Sequence, residues 1–410
     1  MPSRSDIEQV AADLLATRHL RLVSCKTLQS LWAGYGTICR LKTASQDGKT
    51  PDSSLILKYI TPPHSSSSDP DEGHLRKILS YQIEQNFYTR LAPQMPPEIA
   101  VASCLASINS KPGAANGSAA EVKTAMVLTD LREAFPVAGE KRGALTNTQV
   151  RAALGWLAGF HGFWWKRAGE FDRRKLIRAP LEHFGEHGDA VIEDDEEDPR
   201  VWLNGGYTYL ATRQGEYASL KEEGEGSEWA EALCEPFKDQ ELTVAELVAR
   251  ALAPSSEPNV IRGDGISRYE TLIHGDVKSE NLFTNAEGDK VAFYDFQYVG
   301  LGLGVCDLAK LFTCSVPPAM LGYNRSCGQA IPMLKGEEEL LRSYLDQLQR
   351  TSGLSYEWDV FLRHWETALV DWLRFQASWG FWGNTEWLEG RVRSILKDEG
   401  WKMWLKASAR

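Results

Sequence analysis

Three things are missing from this chain. No apolar run approaches the ~20 residues that a membrane-spanning helix requires. There is no excess of positive charge: 45 Lys and Arg stand against 56 Asp and Glu, a net charge of -11 over 410 residues. That excludes a general nucleic-acid or anionic-membrane partner, because counterion release needs a basic face. Among seven cysteines, at 25, 39, 104, 234, 306, 314 and 327, there is no Cys-x-x-Cys pair. Their odd number and spacing argue against a zinc site or a complete disulfide framework and for reduced thiols. Asp6, Glu8 and Asp13 interrupt the apolar positions of the first 25 residues, which spoils both a signal peptide and a transit peptide. These absences predict a soluble, cytoplasmic protein.

What is present reads as an ordinary globular composition, 43% hydrophobic and 25% charged, long enough for two domains or one two-lobed unit. Ile7, Val10, Ala11, Leu14 and Leu15 have the spacing of an amphipathic helix over 5–17. Strand-like pieces at about 20–25, 37–43 and 54–60 predict a small, curled antiparallel sheet. A Pro/Ser-rich loop over 61–73 precedes a helix over about 74–92. Strands near 99–108 and 122–128 flank a Gly/Ala/Asn/Ser-rich turn. A helix over about 147–168 opens at Thr146 or Asn147, and beyond about 305 the chain reads as helices apart from a break at 316–336. The composition shifts from strand to helix near 129–135. The six acidic residues Glu193 to Asp198 read as a solvated loop without chemistry.

The residues that carry chemistry begin at His274-Gly275-Asp276-Val277-Lys278-Ser279-Glu280-Asn281, followed 14 residues on by Asp295-Phe296-Gln297. A hairpin between the two segments brings Asp276, Asn281 and Asp295 to one point. Phosphoryl transfer needs a carboxylate beside the attacking hydroxyl, two ligands for magnesium on the nucleotide phosphates and charge neutralisation. Asp276 suits the base, Asn281 and Asp295 the metal, and Lys278 the transferring group.

These motifs resemble the protein-kinase-like superfamily, in particular its small-molecule branch of aminoglycoside phosphotransferases, choline kinases and ecdysteroid-kinase-like proteins. The resemblance implies an α+β, two-lobed fold, with a small antiparallel-sheet N-lobe (1–130) and a larger helical C-lobe (131–410), and ATP with Mg as cofactors. It implies a phosphate-covering loop between the first two strands, where Gly34, Tyr35 and Gly36 stand, and a strand lysine, Lys58, paired with a helical glutamate, Glu84. It places Met126 to Leu131, with Val127, Leu128 and Thr129 as the cofactor-binding positions, in the linker whose backbone bonds adenine. His161 resembles a packed histidine of the long C-lobe helix, and Asp307 a brace for the catalytic loop.

Two departures narrow the expectation. Glycine precedes Asp276 where protein kinases mostly have arginine, and no Ala-Pro-Glu follows Asp295, so a segment able to hold a peptide is missing. Both favour a small-molecule alcohol acceptor over a protein. Eight of the 14 tryptophans lie between 358 and 404. Trp365, Trp372, Trp379 and Trp382 with Phe375 and Phe381, or Trp202, Tyr207 and Tyr209, suit either an acceptor pocket for an amine or a steroid-like ring, or the helical core. The rival to catalysis is a silent kinase-fold protein that binds nucleotide or a partner. The presence of all five of Lys58, Glu84, Asp276, Asn281 and Asp295 speaks against it.

Overall fold

A computed structural model of the chain describes residues 3–46, 53–62, 71–109, 124–187, 200–237, 241–254, 266–324 and 329–408. The acidic run at 193–198 and most of the two polar loops lie outside them. Helix α1 (Arg4–Ala16) starts at a capping box in which Ser3 and Asp6 bond each other's backbone N–H. Strands β1 (Leu20–Ser30), β2 (Gly36–Ser45) and β3 (Ser53–Ile60) form a meander. Helix α2 (Glu72–Asn86) follows and passes into a single π turn at Phe87–Leu91, then strands β4 (Cys104–Asn109) and β5 (Thr124–Thr129). The five strands make one antiparallel sheet in the order β1-β2-β3-β5-β4. Its outer face is covered by α1, whose Ile7, Ala11, Leu14 and Leu15 pack with Cys39, Leu41, Leu57 and Val127. Those are the apolar positions that the helical spacing singled out.

A short strand β6 (Val137–Ala138) leads to α3 (Asn147–Trp165), capped by Thr146 and Gln149. Four helices come next, α4 (Pro180–His187), α5 (Gln214–Glu222), α6 (Glu228–Cys234) and α7 (Val244–Leu252). Strand β7 (Glu270–Ile273) then pairs with β10 (Gly300–Leu303), and between them β8 (Leu282–Thr284) and β9 (Val291–Phe293) form a hairpin that also pairs with β6. Helices α8 (Val305–Cys314), α9 (Lys335–Ser352), α10 (Trp358–Trp379), α11 (Thr385–Ile395) and α12 (Glu399–Ser408) complete the chain. None of the described helices is long and apolar enough to cross a membrane.

The molecule is therefore α+β, a small antiparallel sheet followed by a larger helical part. One continuous core runs from Leu79, Ile83 and Phe87 of α2, through Met126 and Leu128 of β5, to α3, α8 and α10. That core fixes α2, and with it Glu84, against the helical part.

Candidate active site

The loop after β7 is pinned from behind. Asp307, wholly buried in the first turn of α8, accepts the backbone N–H of His274 (2.7 Å) and of Gly275 (2.9 Å). His161 of α3 donates to the same carboxylate through Nε2 (3.2 Å), while its Nδ1 lies 2.8 Å from the Tyr344 hydroxyl. Asp307 thus braces the loop, as the resemblance implied, and His161 is the packed histidine expected of α3, here supporting Asp307. Burial opposes the charge on Asp307, but the His161 bond and charge together with the electrostatic pull of Lys310 and His274 outweigh it, and the carboxyl titrates below its ordinary range. His274 Nε2 donates to the Tyr294 carbonyl (2.9 Å) and Nδ1 accepts the amide of Asp276 (3.2 Å). Only a neutral ring can do both, and burial lowers its pKa in the matching direction. Gly275 sits at φ +85°, where a Cβ would stand 2.4 Å from the carbonyl oxygen of Tyr298, so the turn requires glycine.

Asp276 is held within this turn. Asn281 Nδ2 donates to its carboxylate Oδ2 (2.9 Å) and to its carbonyl (2.8 Å), and Lys278 Nζ lies 3.0 Å from the same Oδ2. Burial works against the ammonium of Lys278, but Asp276 and then Glu280 raise its pKa above an ordinary lysine. Because its nitrogen is committed, Asn281 keeps Oδ1 as its remaining polar atom.

Three further elements meet at Lys58 of β3. Its Nζ is 2.5 Å from Glu84 Oε2 on α2 and 3.1 Å from Asp295 Oδ1 after β9, above the Tyr81 ring at 5.3 Å. Burial disfavours the ammonium, but two adjacent carboxylates win and raise its pKa. Burial also opposes ionisation of Asp295, and Lys58 lowers its pKa in spite of that. Burial pushes Glu84 up to about 7, with Lys58 pulling the other way. Asp295 itself has φ +67°, a left-handed backbone that non-glycine residues rarely adopt.

The turn between β1 and β2 is a single 3-10 turn at Trp32–Gly34. Gly34 has φ +77° with open space around it, whereas a Cβ on Gly36 would stand 2.0 Å from the Tyr59 carbonyl oxygen. Tyr35 is buried, its hydroxyl 2.5 Å from His74 Nδ1 at the start of α2.

The linker expectation requires a correction. Val127 and Leu128 lie inside β5, which is paired with β3 on one side and β4 on the other, and the amide of Thr129 donates to Ser103. Those backbone groups belong to the sheet. The linker begins after them, at Asp130 and Leu131, where a 3-10 turn starts. The aromatic residues divide. Trp365 (0% exposed) packs among Phe312 and Trp387 in the core, whereas Trp379 is 60% exposed. Trp202 is buried and donates to the Gln297 carbonyl (2.9 Å). Tyr207 and Tyr298 lie close enough to Asp276 for its charge to help raise their pKa, after burial.

One residue of this region escaped the sequence reading. Lys310 of α8 is buried beside Tyr207 and Trp372. A signal existed, because α8 is apolar on nearly all sides, and such a helix is buried together with any lysine in it.

Both clusters offer oxygen ligands. Among the described residues no group of three His, Cys, Asp or Glu could hold a metal unaided. A carboxylate from Asp295 and an amide oxygen from Asn281 fit a hard divalent cation that takes its other ligands from water and phosphate.

Residues 74–336 match the model of the phosphotransferase enzyme family, and the chain belongs to that family. It is a small-molecule kinase of the protein-kinase-like superfamily. No curated protein matches the chain. Among solved structures it is similar to a macrolide 2′-phosphotransferase from Brachybacterium faecium, at 13% identity and TM-score 0.41, covering 98% of each chain. It is also similar to a choline kinase from Cryptosporidium parvum Iowa II, at 10% identity and TM-score 0.42, covering 99% of this chain and 95% of that one. Likenesses this distant add nothing to the family assignment.

Proposed function

We propose that the protein transfers the γ-phosphoryl group of Mg-ATP to the hydroxyl of a small molecule, between an N-lobe of residues 1–130 and a C-lobe of residues 131–410. The observation that carries this is the pair of clusters just described, one bearing a loop carboxylate and an amide, the other a lysine held between two carboxylates. Asp276 accepts the acceptor's hydroxyl proton as the new phosphorus–oxygen bond forms and the bond to ADP breaks, then releases that proton to solvent. Lys278 neutralises charge on the group in transfer. Lys58, oriented by Glu84, bonds the α- and β-phosphates, beneath the turn at Gly34, Tyr35 and Gly36. Asn281 and Asp295 would hold magnesium, which would offset the charge of the phosphates. Adenine meets the linker from Asp130 onward. None of the described cysteines is in a disulfide, which supports a cytoplasmic site of action, where thiols stay reduced.

The test is ADP release from Mg-ATP by the purified protein against amino alcohols, aminoglycosides, hydroxylated sterols and hydroxy acids. The variant Asp276→Asn serves as the blank. Turnover should fall by a factor of at least about 100 in that variant, with nucleotide binding retained. Equal turnover would remove Asp276 from the role of base.

A further inference from the structure

The side chain of Tyr35, in the turn between β1 and β2, is folded onto α2. It is 4% exposed and forms a small cluster with Ile60 at the end of β3 and Tyr81 of α2, flanked by Leu31 and Ile78. Its ring lies 6.3 Å from that of Tyr81 and 5.6 Å from that of His74, and its hydroxyl is 2.5 Å from His74 Nδ1. The ammonium of Lys77 stands 4.9 Å from the ring centre. Residues 74, 77 and 81 therefore hold one side chain of the turn between them. Their spacing of three and four puts them on one face of the helix.

The backbone around this ring is tied down as well. The amide of Leu31 donates to the Gly36 carbonyl (2.9 Å), and the amide of Thr61, just after β3, donates to the carbonyl of Tyr35 (2.8 Å). A Cβ on Gly36 would stand 2.0 Å from the Tyr59 carbonyl oxygen, whereas Gly34 has open space around it. The turn thus has a fixed limb at Tyr35 and Gly36 and an open one at Gly34.

The face of α2 that grips Tyr35 also reaches Lys58. Tyr81 lies under the Lys58 ammonium at 5.3 Å, and Glu84, three residues on, is its carboxylate partner at 2.5 Å. Along this one face, His74, Lys77 and Tyr81 meet the turn, and Tyr81 and Glu84 meet the lysine. Buried and bonded to His74, the Tyr35 hydroxyl faces the helix. What the residue supplies is therefore the place of the turn. Backbone amides of a glycine turn bind phosphate only when they are held where the phosphate lies.

We propose that Tyr35 is a positioning residue for the nucleotide phosphates: clasped by His74, Lys77 and Tyr81, it locks the phosphate-covering turn to the helix that orients Lys58. Turn and lysine then meet the phosphates as one unit. The clasp rests on the phosphotransfer reading above and adds to it how the turn is held. Its effect is confined to the phosphates, because adenine meets the linker, which begins at Asp130.

Calorimetric titration of the full chain with Mg-AMPPNP and, separately, with adenosine distinguishes phosphates from base. Tyr35→Phe keeps the ring and removes the hydroxyl. It should weaken Mg-AMPPNP about fivefold, the factor that one ordinary hydrogen bond supplies, and leave adenosine within about twofold. His74→Ala, at a half-buried position, removes the same bond from the other side and should do the same. The double variant should lose about fivefold and not about 25-fold, because both changes delete one bond. Equal losses for the two ligands, unaltered Mg-AMPPNP affinity in folded variants whose Tm has fallen, or additive losses in the double variant would each overturn the clasp. The second of these would leave Tyr35 a packing residue alone. If the parent chain itself does not bind Mg-AMPPNP, the phosphotransfer reading falls, and the clasp with it.

Discussion

The ring of Phe296 stacks on that of Phe87 at 3.9 Å and 15°. This contact fastens the residue after Asp295 to the π turn that continues α2, the helix of Glu84. Tyr88 meets Phe296 edge-on at 5.7 Å, and all three rings are buried. The Lys58–Glu84–Asp295 geometry is thus set by packing beneath it as well as by charge. Phe296→Ala should cost about 3–5 kcal/mol in denaturant unfolding, the usual toll for a buried phenylalanine, and Phe296→Leu under about 1.5. Turnover should fall in both. Full activity in a folded Phe296→Ala protein would show that Asp295 is positioned without the stack.

Asp307 has a comparable place behind the catalytic loop. Replacing it with alanine would leave two buried amides and a ring N–H without an acceptor, at about 1–3 kcal/mol each, so Asp307→Ala should barely fold. Asp307→Asn keeps one acceptor oxygen. Its turnover should drop about 10- to 100-fold, the size of effect that orienting partners of a site usually have, while the KM for ATP stays near that of the parent. A shifted KM with unchanged kcat would contradict the role of a loop brace.

The two glycines of the β1–β2 turn should behave differently. Gly34→Ala places a methyl in open space at φ +77° and should cost about 1 kcal/mol of backbone strain. Gly36→Ala pushes a methyl against the Tyr59 carbonyl at 2.0 Å, which forces β2 and β3 apart beside Lys58. Thermal unfolding should place Gly36→Ala well below Gly34→Ala, with a larger rise in KM for ATP. Equal Tm values would mean that the strand pair absorbs the methyl.

The order of Lys58, Glu84, Asp276, Asn281 and Asp295 was legible because each lies in a short segment whose spacing local structure fixes: a strand, a helix and a hairpin. The end of β5 was legible to within a residue, at 128 against Thr129, but the segment 126–131 taken for the linker proved to be strand in its first four residues, because pairing with β3 and β4, far away in sequence, decides that. The tryptophans at 358, 365, 372 and 379 recur every seven residues, but a straight helix drifts about 20° per seven. Hence Trp365 and Trp372 are core while Trp379 has rotated out to 60% exposure. Lys310 is buried by α10 and Tyr207, neither of which its own helix could announce.

A last prediction concerns acid. His364 on α10 is buried against Tyr356, Tyr269 and Trp404, with its Nδ1 bonded to the Tyr356 hydroxyl. Burial alone lowers its pKa to about 4. In the unfolded chain the ring takes a proton near its ordinary pKa of about 6.5, while in the folded protein it resists until far lower. Its contribution is therefore fully present above about 6.5 and is lost as the pH falls toward 4, because protons then favour the unfolded state. By pH 5 this should amount to about 2 kcal/mol. Urea unfolding of the parent and of His364→Phe between pH 8 and 5 isolates the effect: the parent's stability should decline more steeply. Parallel profiles would mean that the folded ring accepts its proton as readily as the unfolded one.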